Sequence, residues 1–114
     1  EAQAAMAAGE AAFGRGDFTE AITDYQKALT IDPTNYNATL FVGDCYYRLK
    51  NDESAADWFG RAVALNPNAE TAYRYWGDLL LRAGRGEEAR SKFIDAFIAE
   101  PYSQGARTGL ITRE

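Results

Sequence analysis

Apolar and small residues recur along this chain at the three- and four-residue spacing of amphipathic helices, and short polar breaks separate the stretches that carry them. Segments near 2–15, 36–49 and 70–83 follow this spacing, as do segments near 18–31, 53–65 and 87–99. Strand alternation is absent throughout. The breaks inside each pair carry turn chemistry: GRGD at Gly14 to Asp17, KND at Lys50 to Asp52, and AGRG at Ala83 to Gly86. Asp17 followed by Glu20 predicts a capping box at the start of one helix. The second helix of each pair is expected to end at Asp32-Pro33, Asn66-Pro67 and Glu100-Pro101. A proline cannot continue helical bonding and pushes the residue before it towards extended geometry.

Those prolines are 34 residues apart, and the rest of the chain keeps the same period. Gly9, Gly43 and Gly77 form one column, Ala21, Ala55 and Ala89 a second, and Ala28, Ala62 and Ala96 a third. Tyr25, Phe59 and Phe93 form an aromatic column, and Ala4, Ala38 and Ala72 a small one that Ala106 continues. Each glycine precedes an alanine by 12 residues, which places a small side chain on both helices of a hairpin where they approach, with the aromatic residue beside the contact. The third column lies near the end of each second helix, where the next unit docks. One hairpin cannot bury both of its faces, so the units must stack.

At these residues the sequence resembles the tetratricopeptide repeat, in three copies of about 2–35, 36–69 and 70–103, with a cap helix or truncated fourth unit at about 104–114. The second copy meets the family pattern most fully, with Gly43, Tyr46, Ala55, Phe59, Ala62 and Pro67. The third has Tyr73, Trp76, Gly77, Ala89, Phe93, Ala96 and Pro101, but Leu80 and Gly86 stand where aromatics are usual. The first has Gly9, Phe18, Ala21, Tyr25, Ala28 and Pro33, with small Ala5 and Ala12 at usually bulky places. In the last segment Ala106 and Leu110 keep register with Ala72 and Trp76. The resemblance implies one all-α domain over 1–114, a right-handed superhelical solenoid of antiparallel helix hairpins.

Composition narrows the function. The chain of 114 residues has a formal net charge of -5 and no histidine, which argues against a nucleic-acid partner, since a polyphosphate requires surplus Lys and Arg. Cys45 is the only cysteine, so neither an intramolecular disulfide nor a multi-cysteine zinc site is expected, and the redox compartment stays open. No apolar run approaches the roughly 20 residues of a bilayer helix, so no membrane insertion is expected. A start at Glu1 without methionine suggests a mature form or an excised piece. Gly84 and Gly86 follow no strand and precede no GKS or GKT, so a phosphate loop is not expected. The pairs Asp52 with Glu53 and Glu87 with Glu88 fall at second-helix starts, where acids favour the helix dipole. No catalytic group, cofactor or metal is expected on these residues.

The resemblance further implies that the first helix of each hairpin lines a concave groove for peptide or helix segments of other proteins. Carried over residue by residue, the groove takes Gln3, Met6, Glu10 and Phe13 from the first unit. The second supplies Asn37, Leu40, Phe41, Asp44, Tyr47 and Arg48, and the third Thr71, Arg74, Tyr75, Asp78, Leu81 and Arg82. Helical spacing places residues 40, 44, 47 and 48 on one stripe, and 74, 78, 81 and 82 on another. Glu10, Asp44 and Asp78 form a ladder with the 34-residue period. It is either a selector for basic side chains, with Phe13, Tyr47 and Tyr75 as apolar anchors, or a row of solvated acids paired as Asp44 with Arg48 and Asp78 with Arg82. Family grooves that clamp a chaperone tail's carboxylate use Lys, Asn and Arg. Here Met6, Glu10, Phe41, Asp44, Thr71 and Tyr75 stand at the matching places, so that clamp is missing.

Tyr46, Trp58, Trp76 and Phe97 are expected in the core, with Trp58 a candidate for a second contact surface on the convex side. Cys45 shares a column with Ala11 and Leu79, which predicts a small, buried and inert side chain. The partner expected is a protein or peptide with basic or aromatic side chains. The alternative is an assembly element or an adaptor domain of a larger protein, self-associating through its ends.

Overall fold

A computed structural model describes residues 1–99, and among them are six α-helices and no strand. These are α1 (Ala2–Gly14), α2 (Phe18–Ile31), α3 (Tyr36–Arg48), α4 (Asp52–Leu65), α5 (Glu70–Arg82) and α6 (Gly86–Ala99). Each agrees with a predicted segment to within a residue or two. Pro101, the cap segment 104–114, and Ala106 and Leu110 within it lie outside the described residues.

The hairpin turns repeat one piece of backbone chemistry. Gly16, Lys50 and Gly84 adopt left-handed conformations, with φ of 80°, 65° and 78°. The amide of each donates to the carbonyl three residues back, and the following amide donates five back: Asp17 to Ala12, Asn51 to Tyr46 and Arg85 to Leu80. This is the Schellman closure, which satisfies carbonyls that the helix end would otherwise leave without donors. The residue that completes it then opens the next helix. Asp17 and Asn51 accept the amides of Glu20 and Ser54 on their side chains.

Only half of the predicted capping box forms. Glu20 does not reach back to the Asp17 amide, because that amide is committed to Ala12 and the Glu20 carboxylate pairs with Arg15 at 2.7 Å. Between hairpins, the Asp32 and Asn66 carbonyls accept from the amides of Asn35 and Ala69, and their side chains accept from Thr34 and Asn68. Pro33 and Pro67 thus sit inside compact side-chain-braced turns.

The glycine column has a sharper purpose than general closeness. A Cβ on Gly9 would lie 2.6 Å from the Tyr25 ring, one on Gly43 2.7 Å from Phe59, and one on Gly77 2.7 Å from Phe93. Each aromatic residue therefore rests on the bare backbone of the facing helix. Two buried clusters join the hairpins: Ala28 meets Ala38, Val42 and Cys45 in one, and Ala62 meets Ala72 and Leu79 in the other. Tyr46, half-buried, packs against both. Ala4 and Ala11 share columns with these docking residues yet are exposed, since among the described residues no second helix precedes α1.

Candidate functional site

Besides packing on its hairpin partner α4, helix α3 reaches α5, so these two first helices lie side by side. Between them is a cavity of ≈ 120 Å³ lined by Asp44, Tyr47 and Arg48 from α3, Phe59 from α4, and Tyr75 and Asp78 from α5. Five residues read from the sequence as groove positions thus come together around one space. Phe59, read only as core, supplies its floor.

Asp44 is 8% exposed, and burial raises its pKa above the ordinary carboxylate value, with Arg48 acting in the opposite direction. The Arg48 guanidinium reaches Asp44 at 3.4 Å while lying over the rings of Phe13 at 5.0 Å and Phe18 at 5.8 Å. One ion pair of the expected i to i+4 type is therefore present, but its acid is not a solvated surface group. Asp78 is exposed and has no cationic partner within ion-pair distance among the described residues.

The expected Asp78–Arg82 pair does not form. Arg82 instead crosses to the preceding hairpin, donating to the Tyr47 carbonyl at 2.8 Å and to the Asp52 carboxylate, with its guanidinium 3.9 Å from the Tyr47 ring centroid. Three partners on one rigid turn outcompete a single exposed carboxylate on its own helix. Arg74 is held by Glu70 at 3.0 Å and lies over Tyr75.

The tetratricopeptide-repeat model matches residues 6–70 and again 59–106. The chain belongs to the tetratricopeptide-repeat family. It is 30% identical over 96 residues to tetratricopeptide repeat protein 28 of Homo sapiens, covering 84% of this chain and 4% of that protein. It is 29% identical over 79 residues to the tetratricopeptide repeat and J domain-containing co-chaperone DNJ1 of Fusarium oxysporum, covering 69% of this chain and 15% of the other. The chain therefore spans a small part of the relatives it matches. Among solved structures it is similar to the first TPR of Spaghetti (RPAP3) bound to HSP90 peptide SRMEEVD. The TM-score is 0.81 with 29% identity, covering 97% of this chain and 88% of that one.

Within this tetratricopeptide-repeat frame the remaining candidates divide. Met6 and Phe13 are half-buried against the first cluster, and Phe41 stacks on Tyr25 with ring centroids 5.7 Å apart. Glu10 and Asn37 are exposed. Leu40 is corrected: at 3% exposure it packs with Ala55 and Phe59 in the second cluster and offers no surface to a ligand. Leu81 is 58% exposed, but it faces a recess formed with Phe93, Ile94 and Phe97 of α6 and not the α3–α5 cavity. Phe97 is corrected with it, being half exposed and not core. Phe18, absent from the predicted groove, supports Arg48. Its position after a turn hid a contact that only the folded hairpins create.

Trp58 is half-buried against the first cluster, with the Arg61 guanidinium 4.5 Å over its ring, and it lines an open recess with Leu29, Pro33, Arg61 and Leu65. Cys45 is fully buried and its thiol pKa is pushed up to about 12, chiefly by that burial. A thiol so protonated is a poor nucleophile. Among the described residues no group of three or more His, Cys, Asp or Glu is arranged to hold a metal ion. None of their helices is long and apolar enough to cross a membrane.

Proposed function

We propose that this domain binds a segment of a partner protein along the inner face of α1, α3 and α5, with the acids of that face selecting basic side chains. The observation that carries this reading is the cavity between α3 and α5, where Asp44 and Asp78 converge with Tyr47 and Tyr75. Preformed concavity with aromatic walls supplies contact area, and the unpaired carboxylate of Asp78 beside the Arg48-paired Asp44 supplies selectivity.

The RPAP3 domain was solved with the peptide SRMEEVD, which carries three acids to one arginine. On this chain such a peptide meets Glu10, Asp44 and Asp78, and like charges in a partly buried groove are repelled. A basic segment is the better match.

A peptide-display selection against the 114-residue chain tests the proposal. Enrichment of basic and aromatic positions is expected, with affinity that falls as salt rises and is lost in Asp44→Lys and Asp78→Lys. SRMEEVD is expected not to bind. Selected peptides that keep their affinity and salt dependence in both charge-reversed variants would exclude the acidic face as the selector.

A further inference from the structure

Phe93 continues the aromatic column of Tyr25 and Phe59, which are 1% and 0% exposed, yet it is only half-buried. The difference lies in the next first helix: α3 docks on α2 and α5 on α4, while among the described residues no helix follows α6. Ile94 and Phe97 stand in the columns of Gly60 and Val63, and Val63 packs in the cluster that α5 closes. They are 48% and 50% exposed, and with Leu81, Arg90 and Phe93 they line a recess of ≈ 380 Å³. We infer that this α6 face receives the outer face of α1 from a second copy of the chain, joining copies head to tail as the hairpins themselves are joined.

Register and size select that occupant. The second helices α2 and α4 are covered through Ala38, Val42 and Cys45 of α3 and through Ala72, Trp76 and Leu79 of α5. The same columns in α1 hold Ala4, Ala8 and Ala11, all exposed. At the α4–α5 junction the Trp76 ring lies over Gly60, 3.5 Å from where a Cβ would stand, so a large residue on one helix meets a bare backbone on the other. The α6 face inverts this arrangement: Ile94 replaces the glycine, and Ala8 is the small residue that fits opposite it. The chain's own last residues suit the face less well. Leu110 in the Trp76 column would set a second large side chain against Ile94, and Arg113 in the column of Cys45 and Leu79 would bury a charge.

Charge agrees with this register. Glu53 and Ala83 line one recess at the α4–α5 junction, and one repeat on, their columns bring Glu87 of α6 beside Arg15 of the incoming α1. The present Arg15–Glu20 pair is exposed on both sides and yields at little cost. Docking would also cover Leu81, 58% exposed in the same recess. Each copy uses a different face at each end, so the contact is heterologous and copies add one after another. Both faces lie outside the proposed peptide groove, and this association stands or falls separately from it.

Sedimentation equilibrium of the 114-residue chain over a wide concentration range tests the proposal. The average mass is expected to rise with concentration beyond that of a dimer. Phe97→Glu and Ala8→Glu, both at exposed positions, are each expected to hold the chain at monomer mass with unchanged helical circular dichroism. Mixed in equal amounts, the two variants are expected to form a one-to-one complex, because one keeps the α1 face and the other the α6 face. A parent chain that stays monomeric at every concentration would overturn the assignment, and is the result if residues 104–114 of the same chain occupy α6. Self-association of either variant alone would also overturn it, since like faces or another surface would then be pairing. A mixture that remains monomeric would do the same.

Discussion

Asp44 occupies a place where burial opposes its charge. Its folded pKa lies above the ordinary carboxylate value, so the folded state holds this proton more tightly than the unfolded chain does. Stability from this group is therefore full below about pH 3.9 and is lost as pH rises through the folded pKa. Asp44→Asn should then be more stable than the parent in urea at neutral pH, with the difference shrinking to nothing as pH falls below about 3.9. A buried acid retained against stability is the pattern expected of a binding group. Its neighbour Gly43 is constrained by space: Phe59 is fully buried and cannot retreat from a Cβ at 2.7 Å. Gly43→Ala is expected to lose roughly 1–3 kcal/mol in urea denaturation, despite the better helix propensity of alanine. Helical spacing predicted that Asp44 faces inward, but not that it is buried. That depends on how the neighbouring hairpins pack around α3.

At the scale of the helices, the three hairpins share one turn geometry while differing in how well their residues suit it. Lys50 stands in the left-handed position that Gly16 and Gly84 fill in the other turns. Lys50→Gly should therefore stabilise the protein by up to about 1 kcal/mol, read as a raised urea midpoint with unchanged slope. Caps differ in the same way. Glu1 and Asn35 accept amides at the starts of α1 and α3, whereas Ala69 gives α5 no side-chain cap. Ala69→Asn should add about 1 kcal/mol and slow amide hydrogen exchange in the first turn of α5. Both weak points lie in repeat columns. The prolines and glycines made the period visible because their backbone restrictions admit few substitutes. The left-handed and capping positions were obscured because Lys50 and Ala69 depart from the residues those positions favour.

Across the whole molecule, Arg82 ties the third hairpin to the second by gripping Tyr47 and Asp52 from α5. Arg82→Met should lower stability by roughly 1–2 kcal/mol, the exposed part of the ion pair contributing little. Faster hydrogen exchange is expected in α5 and α6 before α1 and α2, because the lost contact joins hairpins and leaves each one intact. What the sequence alone determined was the periodic part: six helices, their turns, the glycine and aromatic columns, and the stripes on which Asp44, Tyr47 and Asp78 lie. Helical geometry and steric exclusion act over a few residues, so spacing along the chain is enough to express them. Only the tertiary structure decided that Leu40 is core and that Asp44 is desolvated. It also took Arg82 from Asp78 and gave it to the neighbouring turn. A charged side chain chooses among all partners within reach, and helices 30 or more residues apart in sequence supply the stronger ones.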